Sequence, residues 1–251
     1  MSDMAATFAA LLLAHVLADF VLQTAAMVRG KDALRVQLAH AATVLGATFL
    51  IVQGPSAEAF LVPLAIAAVH AGIDRIKRQF GDTLAPFLVD QAAHVASLAA
   101  ASALFPQLWA DSVWAAIGPE ALPAIMVHLA LGLAAVRGGR FAVEKLLSAL
   151  PHPPRQTGAA LTVRPAPQPG LPDAGARIGE LERLVAYGLV VTGQLSGVAF
   201  LLAAKSVLRF ESTRGDRAAA ETIILGTLAS VGWALAAAAA AIWLTSQGDM
   251  P

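Results

Sequence analysis

The sequence predicts an all-α fold, a polytopic bundle of transmembrane helices with about seven spans. Of its 251 residues 57% are apolar and only 14% are charged, and the mean hydropathy is +0.68. Soluble domains carry about 45–50% apolar and about 25% charged residues, so this chain has too little polar surface to cover a body in water. Because lipid offers no hydrogen-bond partners to the backbone, stretches this apolar should form helices rather than strands.

Seven apolar stretches are long enough to cross a hydrocarbon core, which takes about 20 helical residues. The first of them lacks a basic leading region and carries polar residues, so we expect it to remain as a span rather than act as a signal peptide. The predicted spans are Ala5 to Val28, Leu34 to Val52, Ala57 to Ile76, Leu84 to Phe105, Ala121 to Val136, Leu181 to Ala204 and Thr222 to Leu244.

A stretch rich in proline and glycine divides the chain. Seven of the fourteen prolines lie between Pro151 and Pro172, where no apolar periodicity occurs, and this composition is typical of an extended linker. The sequence therefore predicts a five-span module over 1–150, a linker over 151–176 and a two-span module over 177–251.

Charge and cysteine content exclude several classes of function. Seventeen basic and seventeen acidic residues cancel to zero net charge, which leaves no overall field to attract nucleic acid. We therefore expect the lipid bilayer as a partner and no nucleic acid. Since the chain has no cysteine, any metal must be held by His, Asp, Glu or amide oxygen.

Basic residues in the short loops predict the orientation, because they favour the cytoplasmic side. The turns 29–35 and 75–78 are basic, whereas the loops 54–58 and 106–120 contain no Lys or Arg. This places the amino terminus outside and the linker inside. The basic loop 205–217 disagrees, because an alternating count places it outside. Either its charges are neutralised, with Lys205 pairing to Glu221, or one of the last three segments does not cross as drawn.

Polar residues inside the spans follow a pattern. They recur three or four residues apart, so each span presents them on one helix face. Charged groups at the centre of a span cost about 2.5–3.5 kcal/mol each, so they need partners or a purpose. The first span carries His15, Asp19 and Gln23, the second His40, the third His70, Asp74 and Lys77, and the fourth Asp90, Gln91 and His94.

These residues predict one polar site in the cytoplasmic half of the bundle. Counted from the cytoplasmic ends, Asp19, His40, His70 and Asp90 lie at a similar depth, about 9–14 Å at about 1.5 Å per residue. Imidazole and carboxylate together suit a divalent transition metal such as zinc, manganese or iron, and a carboxylate left off the metal can act as general base. The metal ligands are predicted as His15, His40, His70 and His94, the catalytic carboxylates as Asp19, Asp74 and Asp90, and the substrate-binding residues as Gln23, Lys77 and Gln91.

Three segments carry a resemblance to a known family. HVLADFVLQ at 15–23, HAGIDRIK at 70–77 and FLVDQAAH at 87–94 resemble a family of uncharacterised bacterial integral membrane proteins with HxxxDFxxQ, HxxxD and DQxxH motifs, over about Leu11 to Phe105. The resemblance implies a bacterial inner-membrane location and groups these residues without naming a reaction. The chain is also distantly similar in style to predicted membrane-bound metal-dependent hydrolases.

Three hypotheses for function follow. The leading one is a metal-dependent hydrolase acting on a lipid-linked or membrane-proximal substrate. The alternative is a transporter or proton pathway, because a chain of His and Asp can relay protons. The second alternative is a non-catalytic membrane scaffold, in which the polar network only fixes helix packing. His128, which has no acidic neighbour in its span, is expected to be a packing histidine.

Overall fold

The computed structural model describes residues 1–30, 32–150, 173–210 and 217–246, and within these ranges every regular element is helical. Residues 151–172, most of the predicted linker, lie outside the described residues. The α-helices are α1 Asp3–Leu17, α2 Ala25–Arg29, α3 Leu34–Val52, α4 Glu58–Lys77, α5 Leu84–Leu104, α6 Val113–Ile117, α7 Leu122–Leu133, α8 Gly139–Ser148, α9 Ala174–Val191, α10 Leu195–Phe210 and α11 Arg217–Ser246.

Two π-helical turns interrupt otherwise continuous rods. The Asp19 π-turn, Ala18–Leu22, extends α1, and the Val136 π-turn, Ala134–Gly138, joins α7 to α8. A turn of this kind inserts an extra residue into the helical repeat and rotates the side chains that follow it.

Helix α1 lies at the centre of the bundle, against α3, α5 and α7. Its side chains are mostly small, and Ala9, Ala10, Leu11 and Ala14 are almost completely buried. Small residues let helix backbones approach closely, which is how helices associate where lipid removes the hydrophobic driving force.

Six helical segments are long and apolar enough to cross a membrane. Large apolar side chains such as Phe60, Leu104 and Phe200 lie on their outer surfaces, as expected where lipid is the solvent. The chain is therefore compatible with a membrane protein, but the predicted count of seven spans is not confirmed. The six segments are Asp3–Leu22, Leu34–Val52, Glu58–Lys77, Leu84–Leu104, Leu122–Ser148 and Ala220–Ser246.

The bundle has two chemically different ends. At the tryptophan end, named for Trp109 and Trp114, the Trp114 indole donates to the Leu50 carbonyl at 2.7 Å and Thr7 Oγ1 donates to the Pro106 carbonyl at 2.7 Å. At the opposite, basic end, Arg78 donates to Gln37 at 3.1 Å and Lys145 pairs with Asp82. The basic end is the one that the loop charges predict to be cytoplasmic.

The predicted sixth span, Leu181 to Ala204, is wrong as a single helix. Helix α9 ends at Val191, Gly193 takes a left-handed φ of 74°, and α10 begins at Leu195. A Cβ on Gly197 would lie 2.8 Å from Leu189 Cδ2, so the two helices pack closely as an antiparallel hairpin. The turn coincides with a short polar and glycine-containing run, 192–197, which a hydropathy window of about 19 residues averages away.

The hairpin returns the chain to the basic end at Lys205, before residues 211–216, which lie outside the described residues. Val191, at the end of α9, shares a groove with Met1, Glu120 and Ile242 at the tryptophan end. Helix α10 then runs back until Lys205 pairs with Glu182 of α9. The expected pair of Lys205 with Glu221 is therefore wrong, and Glu221 instead contacts Arg217 at 2.8 Å. The loop no longer conflicts with the orientation that the other basic turns predict.

Single cysteines can test this arrangement, since the natural chain has none. We expect Gln194→Cys to react with a membrane-impermeant maleimide from outside intact cells, together with a reference cysteine at Glu120. Arg217→Cys should react only after permeabilisation, together with a reference cysteine at Asp82. Labelling of Arg217→Cys from outside would instead support a single sixth span.

Candidate metal centre

Four helices bring their histidines to one level of the bundle. His15 of α1, His40 of α3, His70 of α4 and His94 of α5 are all buried. The His70 ring packs between two of the others. Its centroid lies 5.1 Å from that of His40 and 4.1 Å from that of His94. The predicted convergence of these spans is confirmed, and Asp19, Asp74 and Asp90 lie within ion-pair distance of the same rings.

The tightest part of the cluster consists of four ligand atoms from α3, α4 and the Asp19 π-turn. They are Asp19 Oδ1, His40 Nε2, His70 Nε2 and Asp74 Oδ2. Asp19 Oδ1 lies 3.4 Å from His40 Nε2 and 3.3 Å from His70 Nε2. Asp74 Oδ2 lies 3.6 and 3.5 Å from the same two nitrogens, which are 3.1 Å from each other.

These separations fit the donor arrangement of a small divalent ion. Zn²⁺ binds imidazole nitrogen at about 2.0–2.1 Å, and a regular tetrahedron of that radius has edges of about 3.4 Å. Five of the six edges among the four atoms are between 3.1 and 3.6 Å. Four atoms that all accept in their metal-binding form, gathered around one point, are the donor set that such an ion requires.

A charge imbalance points the same way. The buried cluster contains three carboxylates, and among the described residues that bond to it only Lys77 carries a permanent positive charge. With neutral imidazoles the net charge of the group is negative by two. Burying uncompensated charge is expensive, and a divalent cation would remove the imbalance.

Asp19 lies within the π-turn and contacts imidazoles of three helices. In a regular α-helix Asp19 would lie directly one turn beyond His15. In the structure Asp19 Oδ2 is 3.9 Å from His15 Nδ1, whereas Oδ1 faces the imidazoles of α3 and α4 at 3.3 and 3.4 Å. Single π-turns often occur at functional sites, and the sequence alone gives no signal for this one.

Asp90 is held at the edge of the cluster by two neighbours. Lys77 Nζ donates to Asp90 Oδ2 at 2.9 Å, and Gln91 Nε2 donates to the same oxygen at 3.3 Å. Gln91 Oε1 also lies 3.4 Å from His15 Nε2. Two of the residues predicted to bind substrate, Lys77 and Gln91, therefore contact the cluster directly.

An apolar layer closes the cluster toward the tryptophan end. One helical turn beyond the four histidines, in that direction, the buried residues are Leu11, Val44, Ile66 and Leu98. Each belongs to the same helix as its histidine and lies four residues away. Among the described residues the histidines and aspartates of the cluster stop at this level. The buried polar side chains beyond the layer, Thr7, Thr48 and Ser102, are hydroxyls that donate to backbone carbonyls.

A cavity of about 550 Å³ connects the cluster to the basic end. Asp19, His40, Asp74, Asp90 and Gln91 form its floor, and the predicted Gln23 also lines it. Three phenylalanines, Phe20, Phe87 and Phe141, supply apolar wall. At the mouth lie charged side chains of both signs: Asp32, Lys77, Arg78, Asp82, Glu144 and Lys145.

A known protein family matches the part of the chain that carries the cluster. Residues 7–117 match a family described as "Protein of unknown function (DUF3307)". No curated protein and no solved structure matches the chain. The match includes all seven histidines and aspartates of the cluster, in agreement with the resemblance noted in the sequence.

One wall of the cavity lies beyond the matched domain. Phe141, Glu144 and Lys145 of α8 line the cavity, and sequence analysis did not single them out as site residues. They occur at spacings of three and four on one helix face, which is the signal that could have indicated them. His128 lies away from the cluster, where the Tyr187 hydroxyl donates to its carbonyl at 3.0 Å, as expected of a packing histidine.

Proposed function

We propose that the protein is an integral membrane, metal-dependent hydrolase whose site opens toward the cytoplasm. The observation that carries the proposal is the near-tetrahedral set of Asp19, His40, His70 and Asp74 at the floor of a cavity. We assign the chain to the bacterial inner membrane on the resemblance of its motifs and on its apolar helices.

In this proposal each group of the cluster has a role. Asp19, His40, His70 and Asp74 would hold a zinc, manganese or iron ion. When bound, such an ion supplies Lewis-acid activation of a water and of a carbonyl or phosphoryl oxygen. His15 and His94 pack against the ligand rings, with the His15 and His94 rings stacked at 5.1 Å, and support the orientation of His70.

Asp90 is the carboxylate outside the tetrahedral set, and in this proposal it acts as the general base. Its side chain is buried yet lines the cavity, so a water entering from the basic end can reach it. Lys77 and Gln91 fix Oδ2 and so hold the carboxylate in one orientation. Positioned proton acceptors of this kind contribute about 10²–10⁴-fold to rates.

The cavity suits an amphiphilic substrate. Its aromatic wall can receive an apolar chain, while the floor and mouth present charged and amide groups to a polar head. Met27, Val28 and Val36 also line the cavity near the basic end, where Val28 is exposed on the bundle surface. A lipid-linked or membrane-proximal substrate is the class that combines these two characters.

The apolar layer favours catalysis over transport. A transporter or proton pathway needs polar groups or an opening toward both ends, whereas Leu11, Val44, Ile66 and Leu98 close this cluster on one side. Such a closed floor also limits water around the reacting groups, which strengthens electrostatic interactions there.

The test is hydrolysis by the full chain, purified in detergent and loaded with Zn²⁺ or Mn²⁺. The probes are p-nitrophenyl phosphate, bis(p-nitrophenyl) phosphate and p-nitrophenyl decanoate. We expect metal-dependent release of p-nitrophenol and a loss of about 10²-fold or more in Asp90→Asn, with His128→Gln as the matched control at wild-type rate. Metal-loaded protein that cleaves none of the probes would contradict the hydrolase proposal. Asp19-dependent proton flux in liposomes would then support the proton-pathway alternative.

A further inference from the structure

A second set of ligand atoms lies beside the first and is not used by it. His94 Nε2 and Asp90 Oδ1 are both buried and have no hydrogen-bond partner among the residues that the structure describes. His94 itself is only 1% exposed. Buried polar atoms are nearly always paired, so two such atoms in one cluster require an explanation.

The tautomer of His94 directs one lone pair into the cluster. His94 Nδ1 lies 2.9 Å from the Asp90 backbone carbonyl, which can only accept, so Nδ1 carries the proton. Nε2 is then an acceptor, and its nearest charged neighbour is Asp74 Oδ1 at 3.8 Å, also an acceptor. Asp74 lies at the cavity floor, whereas His94 is buried, and a cation between the two acceptors would satisfy both.

Asp74 connects the two sets through its two oxygens. Oδ2 faces His40 and His70 at 3.6 and 3.5 Å, whereas Oδ1 faces His94. One ligand atom each from Asp74, Asp90 and His94 lies within 4.8 Å of the other two. A carboxylate with one oxygen toward each of two adjacent sites is the usual bridge of a two-metal centre.

We infer that the cluster binds two divalent ions, with Asp74 bridging them and His94 and Asp90 completing the second site. Two carboxylates and one imidazole suit Mn²⁺, Fe²⁺ or Zn²⁺. Lys77 and Gln91 both donate hydrogen bonds to Asp90 Oδ2, so Asp90 Oδ1 is available to bind the ion. The inference rests on the proposed function and reassigns Asp90 from general base to ligand.

Two ions also indicate the substrate chemistry. The cluster with Lys77 carries a net charge of minus two, so one divalent ion neutralises it and a second makes the cavity floor positive. A paired site of this kind stabilises both the attacking and the leaving oxygen of a displacement at phosphorus. The substrate head group is therefore assigned as a phosphoester.

Metal stoichiometry tests the inference without reference to activity. The full chain is loaded with excess Mn²⁺, desalted and measured by elemental analysis and by electron paramagnetic resonance. We expect about two ions per wild-type chain with an exchange-coupled spectrum, and about one uncoupled ion in His94→Gln and in Asp90→Asn. His128→Gln, which changes a histidine of the same bundle outside the cluster, should keep both ions.

The outcomes separate this inference from the proposed function. One uncoupled ion in wild type, unchanged in His94→Gln and Asp90→Asn, would overturn the second site and leave the single-metal hydrolase intact. Absence of bound metal in wild type would overturn both. If His94→Gln fails to fold, the metal stoichiometry and the spectrum of the wild-type chain still decide whether one or two ions bind.

Discussion

Replacing His70 by alanine should remove the ion held by the tetrahedral set. The His70 ring contacts the rings of His15, His40 and His94, and its Nε2 lies 3.3 Å from Asp19 and 3.5 Å from Asp74. Loss of a partner that merely orients a ligand weakens metal binding about 10–100-fold, so loss of a direct ligand should weaken it by more than about 100-fold. Competition with a chromogenic chelator measures the dissociation constant.

The matched control for this substitution is His128→Ala. His128 lies on α7, contacts Tyr187 and does not belong to the cluster, so its loss should leave metal affinity unchanged. Thermal unfolding of both variants without metal separates loss of the ligand from loss of the fold. A His70→Ala variant that binds Zn²⁺ as tightly as wild type would contradict the assignment of the four ligands.

Much of the bundle is predictable because its long apolar stretches allow few structures. Hydropathy locates α3, α4 and α5 to within one residue, since each is an apolar stretch of about 20 residues, the length of a helix that could cross a membrane. Spacing of three or four residues then fixes which polar groups share a face, and it correctly groups His70 with Asp74 and Asp90 with His94. Convergence of these faces is expected because the rest of each helix surface is apolar.

The remainder depends on features that hydropathy does not record. The break between α9 and α10 is marked only by the short run from Thr192 to Gln194, which averaging over about 19 residues does not resolve. The two π-turns have no signal in the local composition. The sequence predicts the four histidines as ligands, joined by one or more of the aspartates, whereas the distances favour two histidines and two aspartates.

The Val136 π-turn is held by residues from two other helices. Arg183 of α9, only 3% exposed, donates to the Val136 carbonyl from Nε at 3.2 Å and Nη2 at 2.8 Å, and to Ser230 Oγ of α11 at 3.1 Å. Trp233 of α11 donates to the Ala134 carbonyl at 2.9 Å. A π-turn displaces backbone carbonyls from the regular helical ladder, and these donors satisfy them.

The packing around Arg183 leaves no room for adjustment. A Cβ on Gly139, the first residue of α8, would lie 2.7 Å from Arg183 Cδ and 2.8 Å from Trp233 Cδ1. Glycine is therefore required at this position for α8 to pass the buried guanidinium. Helix α8 supplies one wall of the cavity. The hydrogen bonds from Arg183 and Trp233 to the Val136 π-turn therefore fix that wall from the other side of the bundle.

We therefore expect Arg183→Met to destabilise the protein by about 2–4 kcal/mol, since hydrogen bonds from a charged donor are lost and the Val136 carbonyl is left buried without a partner. In a domain of this size that corresponds to a fall of about 5–15 °C in the thermal midpoint, measured in detergent. Arg137→Met is the control, because Arg137 is 44% exposed and its pair with Glu180 should be worth at most about 1 kcal/mol. Metal stoichiometry should stay at its wild-type value in Arg183→Met, because the ligands lie on α3, α4, α5 and the Asp19 π-turn, whereas the KM for a cavity-bound substrate should rise as α8 loosens. Equal thermal midpoints for Arg183→Met and Arg137→Met would show that Arg183 does not stabilise the Val136 π-turn.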